Sequence, residues 1–213
     1  MHFLSAALES YIAQCSEAEP ELLRELTRET HLKVLRPRMI TGHYQGRVLS
    51  LISRLVRPTY ILEVGTYTGY SALCLAEGMA PDGQLHTIDI NPELTELQRR
   101  YFDSSPYGQA IIQHTRPALE VIPGLDLTFD LAFIDAEKKE YPEYFEAILP
   151  KMRKGGLILL DNVLWSGKVL DPIEKKDKVT PILKNLNESL PSDPRVRTVL
   201  LPIRDGLTVC TVE

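Results

Sequence analysis

The sequence predicts an α/β fold, a seven-stranded and mostly parallel sheet with helices on both faces. Three observations carry this. From residue 60 onward, short apolar runs alternate with helical patterns, as parallel strands require because each return crossover is usually a helix. The run Tyr60-Ile61-Leu62-Glu63-Val64 enters a turn bounded by Gly65 and Gly69, and a helical pattern begins near Ser71. The last two apolar runs, 196–201 and 207–212, are joined around Arg204-Asp205-Gly206 and read as a terminal hairpin, so one strand is reversed.

Taken in order, residues 3–57 read as helical. Leu22, Leu23, Leu26, Leu32 and Leu35 fall near helical spacing from Glu21 to Leu35, and Arg36-Pro37-Arg38 breaks the pattern. A further helix is expected from His43 to Val56, ending near Pro58. Strands are expected at 60–64, 84–89, 110–114, 129–134 and 156–160, with helices near 70–78, 92–103, 116–122 and 141–152. Lys154-Gly155-Gly156 reads as a helix stop placed directly before the buried run Leu157 to Leu160. A last helix near 176–190 precedes the hairpin. No repeat, low-complexity tract or linker interrupts the chain, so 1–213 reads as a single domain with 1–57 as a helical cap.

The 213 residues carry a net charge of −5, with 44% apolar and 25% charged residues, which places the chain among soluble globular proteins. No basic stripe is present for nucleic acid to grip, and Lys175-Lys176-Asp177-Lys178 reads as solvated surface. No apolar run is long enough to span a membrane. No basic segment followed by a long apolar one opens the chain, so no signal peptide is expected. Cys15, Cys74 and Cys210 are widely spaced and odd in number, which points to buried or partly buried thiols in a reducing, cytoplasmic compartment.

In an open α/β sheet, ligands bind outside the carboxyl ends of the strands. Glu63, Asp89, Asp135 and Asp161 stand at four such ends, with Asn162 next in line. Like charges gathered on one rim repel unless something neutralises them. A carboxylate at Glu63 repels a pyrophosphate and attracts an amine or a sugar hydroxyl, and the G-x-G-x-x-G dinucleotide fingerprint is absent because Tyr67 stands at the central glycine's place. Asp89 follows Gly69 by twenty residues, close to the ~20 at which an acidic side chain holds ribose hydroxyls. The turn therefore suits a nucleoside with a positive group, such as S-adenosylmethionine (SAM). Asp135, Asp161 and Asn162 offer hard oxygen ligands for Mg²⁺ or a similar cation. A divalent ion nearby disfavours an ammonium, which suits Lys138 to act as a general base.

Glu63 to Ser71, Phe133-Ile134-Asp135-Ala136-Glu137-Lys138, Asp161 to Gly167 and Asp205 to Cys210 together resemble the cation-dependent O-methyltransferases, the family of caffeoyl-CoA O-methyltransferase, related to catechol O-methyltransferase. The resemblance runs from about Met39 to the end of the chain. It implies the Rossmann-like class I methyltransferase fold, SAM as methyl donor, a divalent metal (usually Mg²⁺), a phenolic small-molecule acceptor and a homodimer. Matched by position, Met39, Thr41, Glu63, Gly65, Tyr67, Ser71, Asp89, Ala118 and Asp135 would line the cofactor. Asp135, Asp161 and Asn162 would bind the metal, Lys138 would be the base and Trp165 an aromatic wall near the substrate. Where the family often has an Asp-Glu pair, this chain has Tyr44-Gln45, which bears on polar contacts at the active-site entrance. Two other classes compete: a nicotinamide-dependent oxidoreductase on a similar sheet, and a non-catalytic SAM-binding module.

Overall fold

The computed structural model describes residues 5–213; the start of the expected N-terminal helical region, at residues 3 and 4, lies outside the described residues. Seven strands form one sheet in the order β3-β2-β1-β4-β5-β7-β6. They are β1 (Tyr60–Val64), β2 (Gln84–Asp89), β3 (Ile111–Thr115), β4 (Phe129–Ile134), β5 (Met152–Asp161), β6 (Val196–Leu201) and β7 (Leu207–Val212). Strands β1 to β5 pair in parallel, and β7 runs antiparallel to both β5 and β6. The single reversed strand is therefore β7.

The inner strands are apolar throughout because both faces are covered. One face packs under α7 (Tyr141–Ile148) and α8 (Thr180–Ser189) through Tyr141, Phe145 and Leu183. The other packs under α2 (Glu21–Lys33), α3 (His43–Val56), α4 (Tyr70–Ala76) and α5 (Thr95–Asp103) through Leu26, Leu49, Tyr70 and Phe102. α6 (Ala118–Val121) is a single turn, and α1 (Ala6–Gln14) lies at the N-terminal end of the described chain.

Most expected boundaries agree to within a few residues, and α3, β1, β2, β4, β6 and β7 agree to the residue. Three differ for physical reasons. The N-terminal region is broken at 15–20, where Pro20 precedes the first turn of α2. Leu32 and Leu35 are 71% and 87% exposed, because the inward stripe of α2 is Leu23, Leu26 and Thr30 and the helix stops at Lys33. Lys154-Gly155-Gly156 is not a helix stop but an irregularity within β5. α7 ends at Ile148, ahead of Pro150, which cannot donate to the ladder. Strand β5 starts at Met152, and Gly155 at φ 72 absorbs a register shift against β4. Cys15 is exposed, contrary to the sequence expectation, whereas Cys74 and Cys210 are buried; all three are free thiols. Among the described residues, no helix is long and apolar enough to cross a membrane.

Candidate functional site

Because β2, β1, β4 and β5 are parallel neighbours, their carboxyl ends meet on one rim. There the turn after β1 opens into a small recess. Met39, Thr41, Gly65, Tyr67, Ser71 and Asp135 line it. Glu63, Asp89 and Ala118 are not in its wall: Glu63 is fully buried behind it, Asp89 braces the turn from β2, and Ala118 begins α6.

The turn is held by its own residues. Gly65 sits at φ 103, where a side chain is strained, and a Cβ there would overlap the carbonyl oxygen of Asp135. At Gly69 a Cβ would meet the Phe102 ring at 2.6 Å. Both glycines thus serve close packing within the protein. Tyr67 adopts φ 49 without being glycine, at a cost of roughly 1–2 kcal/mol. The turn holds it there. Its amide donates to Asp89 Oδ2 at 2.7 Å, and its carbonyl accepts from Gln98 at 2.7 Å. The Tyr67 hydroxyl donates to the carbonyls of Leu35 and Arg36, tying down the segment before Met39. Asp89 Oδ1 also accepts from the Asn91 amide at 2.9 Å. It thus serves as a turn residue, and each oxygen still has a lone pair for a hydroxyl donor.

Asp135 follows β4 and Asp161 ends β5. Tyr141, at the start of α7, was not singled out from the sequence. Its buried hydroxyl faces the Asp161 carbonyl at 2.9 Å and the Ile134 carbonyl at 3.1 Å, spanning the two strand ends. Lys138 is largely buried; its Nζ donates to Asp135 Oδ1 at 2.7 Å and lies 4.9 Å from the Tyr141 ring centroid. Asp161 is 1% exposed and accepts from the Asn162 amide at Oδ1 (2.8 Å) and from Gln45 Nε2 at Oδ2 (2.7 Å). Asn162 takes φ 58, a left-handed conformation that Asn tolerates. Trp165, also at positive φ, is partly buried against the α7 and α8 layer. Gln45 is fully buried, so this departure from the family pattern touches Asp161 itself.

Burial, with Asp135 as a like-charged neighbour, raises the pKa of Asp161 well above the usual carboxylate range; Gln45, Lys138 and the Asn162 amide oppose this only in part. A buried carboxylate under that penalty, one strand from a second carboxylate and followed in the chain by Asn162, whose side-chain oxygen is a further hard donor, makes a set whose chemistry fits a hard divalent cation. Among the described residues no group of three or more His, Cys, Asp or Glu side chains is gathered for a metal, and the set here is two carboxylates and an amide. Burial likewise pushes Glu63 up to about 8. The hydroxyls of Ser71 and Thr87 offset part of the shift, and Asp135 and Asp89 add to it. Glu63 Oε1 has no hydrogen-bond partner, so the site as it stands favours a neutral Glu63. A cationic ligand in the recess would favour its ionised form.

This has a measurable consequence. Glu63 has a folded pKa above its unfolded value of 4.5, so the stabilisation it provides is complete below that value and is lost as pH rises through about 8. His86 and His114, stacked at 5.2 Å, have lowered pKa values, chiefly from burial, and act in the opposite sense below about 6.5. The ligand-free protein should therefore lose several degrees of Tm between pH 7 and 9, and Glu63→Gln should remove most of that loss in scanning calorimetry. An equally steep decline in the variant would contradict the assignment.

Comparisons with known proteins identify the family and the fold. The sequence profile of the O-methyltransferase family matches residues 13–212. The chain is 33% identical to the caffeoyl-CoA O-methyltransferase of Petroselinum crispum, across 97% of this chain and 90% of that protein. It is 36% identical to caffeoyl-CoA O-methyltransferase 2 of Zea mays, across 90% of this chain and 76% of that one. Among solved structures, the O-methyltransferase TomG from Streptomyces achromogenes, in complex with SAM, superposes with a TM-score of 0.89 at 29% identity, covering 97% and 96% of the two chains. An O-methyltransferase from Bacillus cereus, in complex with S-adenosylhomocysteine, gives a TM-score of 0.89 at 26% identity, covering 97% of each.

Proposed function

This chain belongs to the O-methyltransferase family, and on that premise we propose that it moves the methyl group of SAM to one hydroxyl of a catechol-like phenol with the help of a divalent cation. It is a SAM-dependent O-methyltransferase; the proposal concerns the acceptor, the cation and the residues. Membership sets aside the oxidoreductase reading. The observation that carries the proposal is the buried Asp161 beside Asp135 on a rim where Lys138 supplies one positive charge against two negative ones.

Met39, Thr41, Gly65, Tyr67, Ser71 and Asp135 form the recess for the donor, with Glu63 and Asp89 behind its turn and Ala118 at the start of α6. Asp135, Asp161 and Asn162 would hold the cation, Mg²⁺ being the one their oxygens suit. A bound cation would neutralise the two carboxylates and lower the pKa of an acceptor hydroxyl beside it. With a cation held by Asp135, Lys138 Nζ would lose that partner and its neutral amine would be favoured; having given its own proton to solvent, it would take the hydroxyl proton. The freed oxygen attacks the methyl carbon in line as the bond to sulfur breaks. Holding the acceptor by two adjacent oxygens fixes that line of attack, an orientation effect worth roughly 7–11 kcal/mol in ideal cases. Trp165 walls the acceptor side. The chain works as one domain, with the helices before β1 as its cap, in the cytoplasm and as a homodimer.

The test is methyl transfer from SAM to catechols, flavonoids and hydroxycinnamoyl thioesters, with Mg²⁺ and with excess EDTA. Turnover of ortho-dihydroxy acceptors that stops in EDTA is expected. Full activity in EDTA removes the cation, and SAM binding with no turnover of any acceptor favours the non-catalytic module.

A further inference from the structure

The turn between β6 and β7 reaches both halves of the site. Arg204, at φ 49, points Nη1 at the carbonyls of Ile40 (3.2 Å) and Thr41 and at Gln45 Oε1 (3.3 Å). Ile40 and Thr41 are in the wall of the recess. The other end of the Gln45 amide donates to Asp161 Oδ2 at 2.7 Å. The chemistry sets the orientation of that amide: a guanidinium offers only donors and an ionised carboxylate only acceptors, so the oxygen faces Arg204 and the nitrogen faces Asp161. A carboxylate at position 45 would set a second anion against Asp161, and an apolar residue would leave Asp161 Oδ2 short of a donor. Asp205 completes the clasp: its side chain accepts from the Ser166 amide at 2.6 Å and its carbonyl from Leu164 at 2.9 Å. The loop that follows Asp161 is thus tied to the same turn as the donor-side segment.

We propose that Arg204 and Gln45 are positioning residues that link the Ile40–Thr41 wall of the recess to Asp161, so that occupancy of the nucleoside recess and of the cation set reinforce each other. The proposal rests on the functional reading above. Each ligand holds one end of a short hydrogen-bonded chain, and ordering either end lowers what the other must pay on binding. Coupling of this kind is reciprocal and typically about 5–150-fold.

The measurement is calorimetric titration of S-adenosylhomocysteine into the full chain, in saturating Mn²⁺ and in EDTA. For the wild-type chain Mn²⁺ should tighten binding at least about fivefold. In Gln45→Ala and in Arg204→Ala the ratio should fall to near one, and the double variant should fall no further. Gln45→Ala keeps the contacts of Arg204 to both carbonyls, so it carries the test alone if Arg204→Ala does not fold. A merely structural loss would lower Tm and both affinities while leaving the ratio intact, and that result overturns the proposal. So does a wild-type ratio of one. Failure of S-adenosylhomocysteine to bind the wild-type chain at all would instead sink the functional reading, and the linkage with it.

Discussion

Asp161→Ala should abolish methyl transfer while sparing the donor site. The side chain is buried at the end of β5 and both its oxygens accept hydrogen bonds, from Gln45 and the Asn162 amide. It is absent from the wall of the recess proposed for the nucleoside. Loss of a residue that only orients a metal ligand already costs about 10–100-fold, so loss of a ligand should lower kcat/KM by at least about 10²-fold. Affinity for S-adenosylhomocysteine in EDTA should stay within about tenfold, one step of 1.4 kcal/mol. The two readouts separate chemistry from collapse. If activity and donor affinity fall together, Asp161 supports the fold rather than the reaction. If activity survives, the cation set is wrongly assigned.

The second large effect is on stability. Gly65→Ala would put a methyl group into the carbonyl of Asp135 at φ 103, so neither a side-chain shift nor an ordinary backbone conformation relieves it. Backbone strain of about 1–3 kcal/mol adds to an overpacking cost of similar size, for a total of roughly 2–6 kcal/mol. In a chain of this length each kcal/mol is worth about 2–4 °C of Tm. Gly42→Ala is the control: its φ is also positive, at 78, but nothing lies within 4 Å of the added Cβ. Only the strain remains there. Equal losses in the two variants would mean that the turn after β1 has room to move away from β4.

What could be read from the sequence was local. The alternation of apolar runs shows the succession of strands and helices along the chain, and glycine, proline and the Arg204-Asp205-Gly206 turn mark where elements stop. The rim followed from topology: once the strands are parallel, Glu63, Asp89, Asp135 and Asp161 must share an edge. What escaped lies in contacts between distant segments. Gln45 and Asp161 are far apart in the chain and meet only because α3 lies on the sheet face with its first turn at the carboxyl rim; from sequence, Gln45 is a departure at the entrance, yet it is buried on the proposed metal ligand. Tyr141 lies shortly after Lys138, but its partners are two backbone carbonyls, which leave no signal in side-chain patterns. Gly155 was misread as a helix stop because a glycine at positive φ ends helices and also makes bulges. Leu32 and Leu35 were misread because apolar residues near the end of a helix mimic its buried stripe.

The most direct test is a crystal of the protein grown with S-adenosylhomocysteine and soaked in Mn²⁺, with anomalous diffraction recorded at the manganese edge. A single peak touched by oxygens of Asp135, Asp161 and Asn162, with Lys138 Nζ no longer on Asp135, is the predicted result. A featureless map there, with Lys138 still paired to Asp135 and the nucleoside in its recess, would contradict the account.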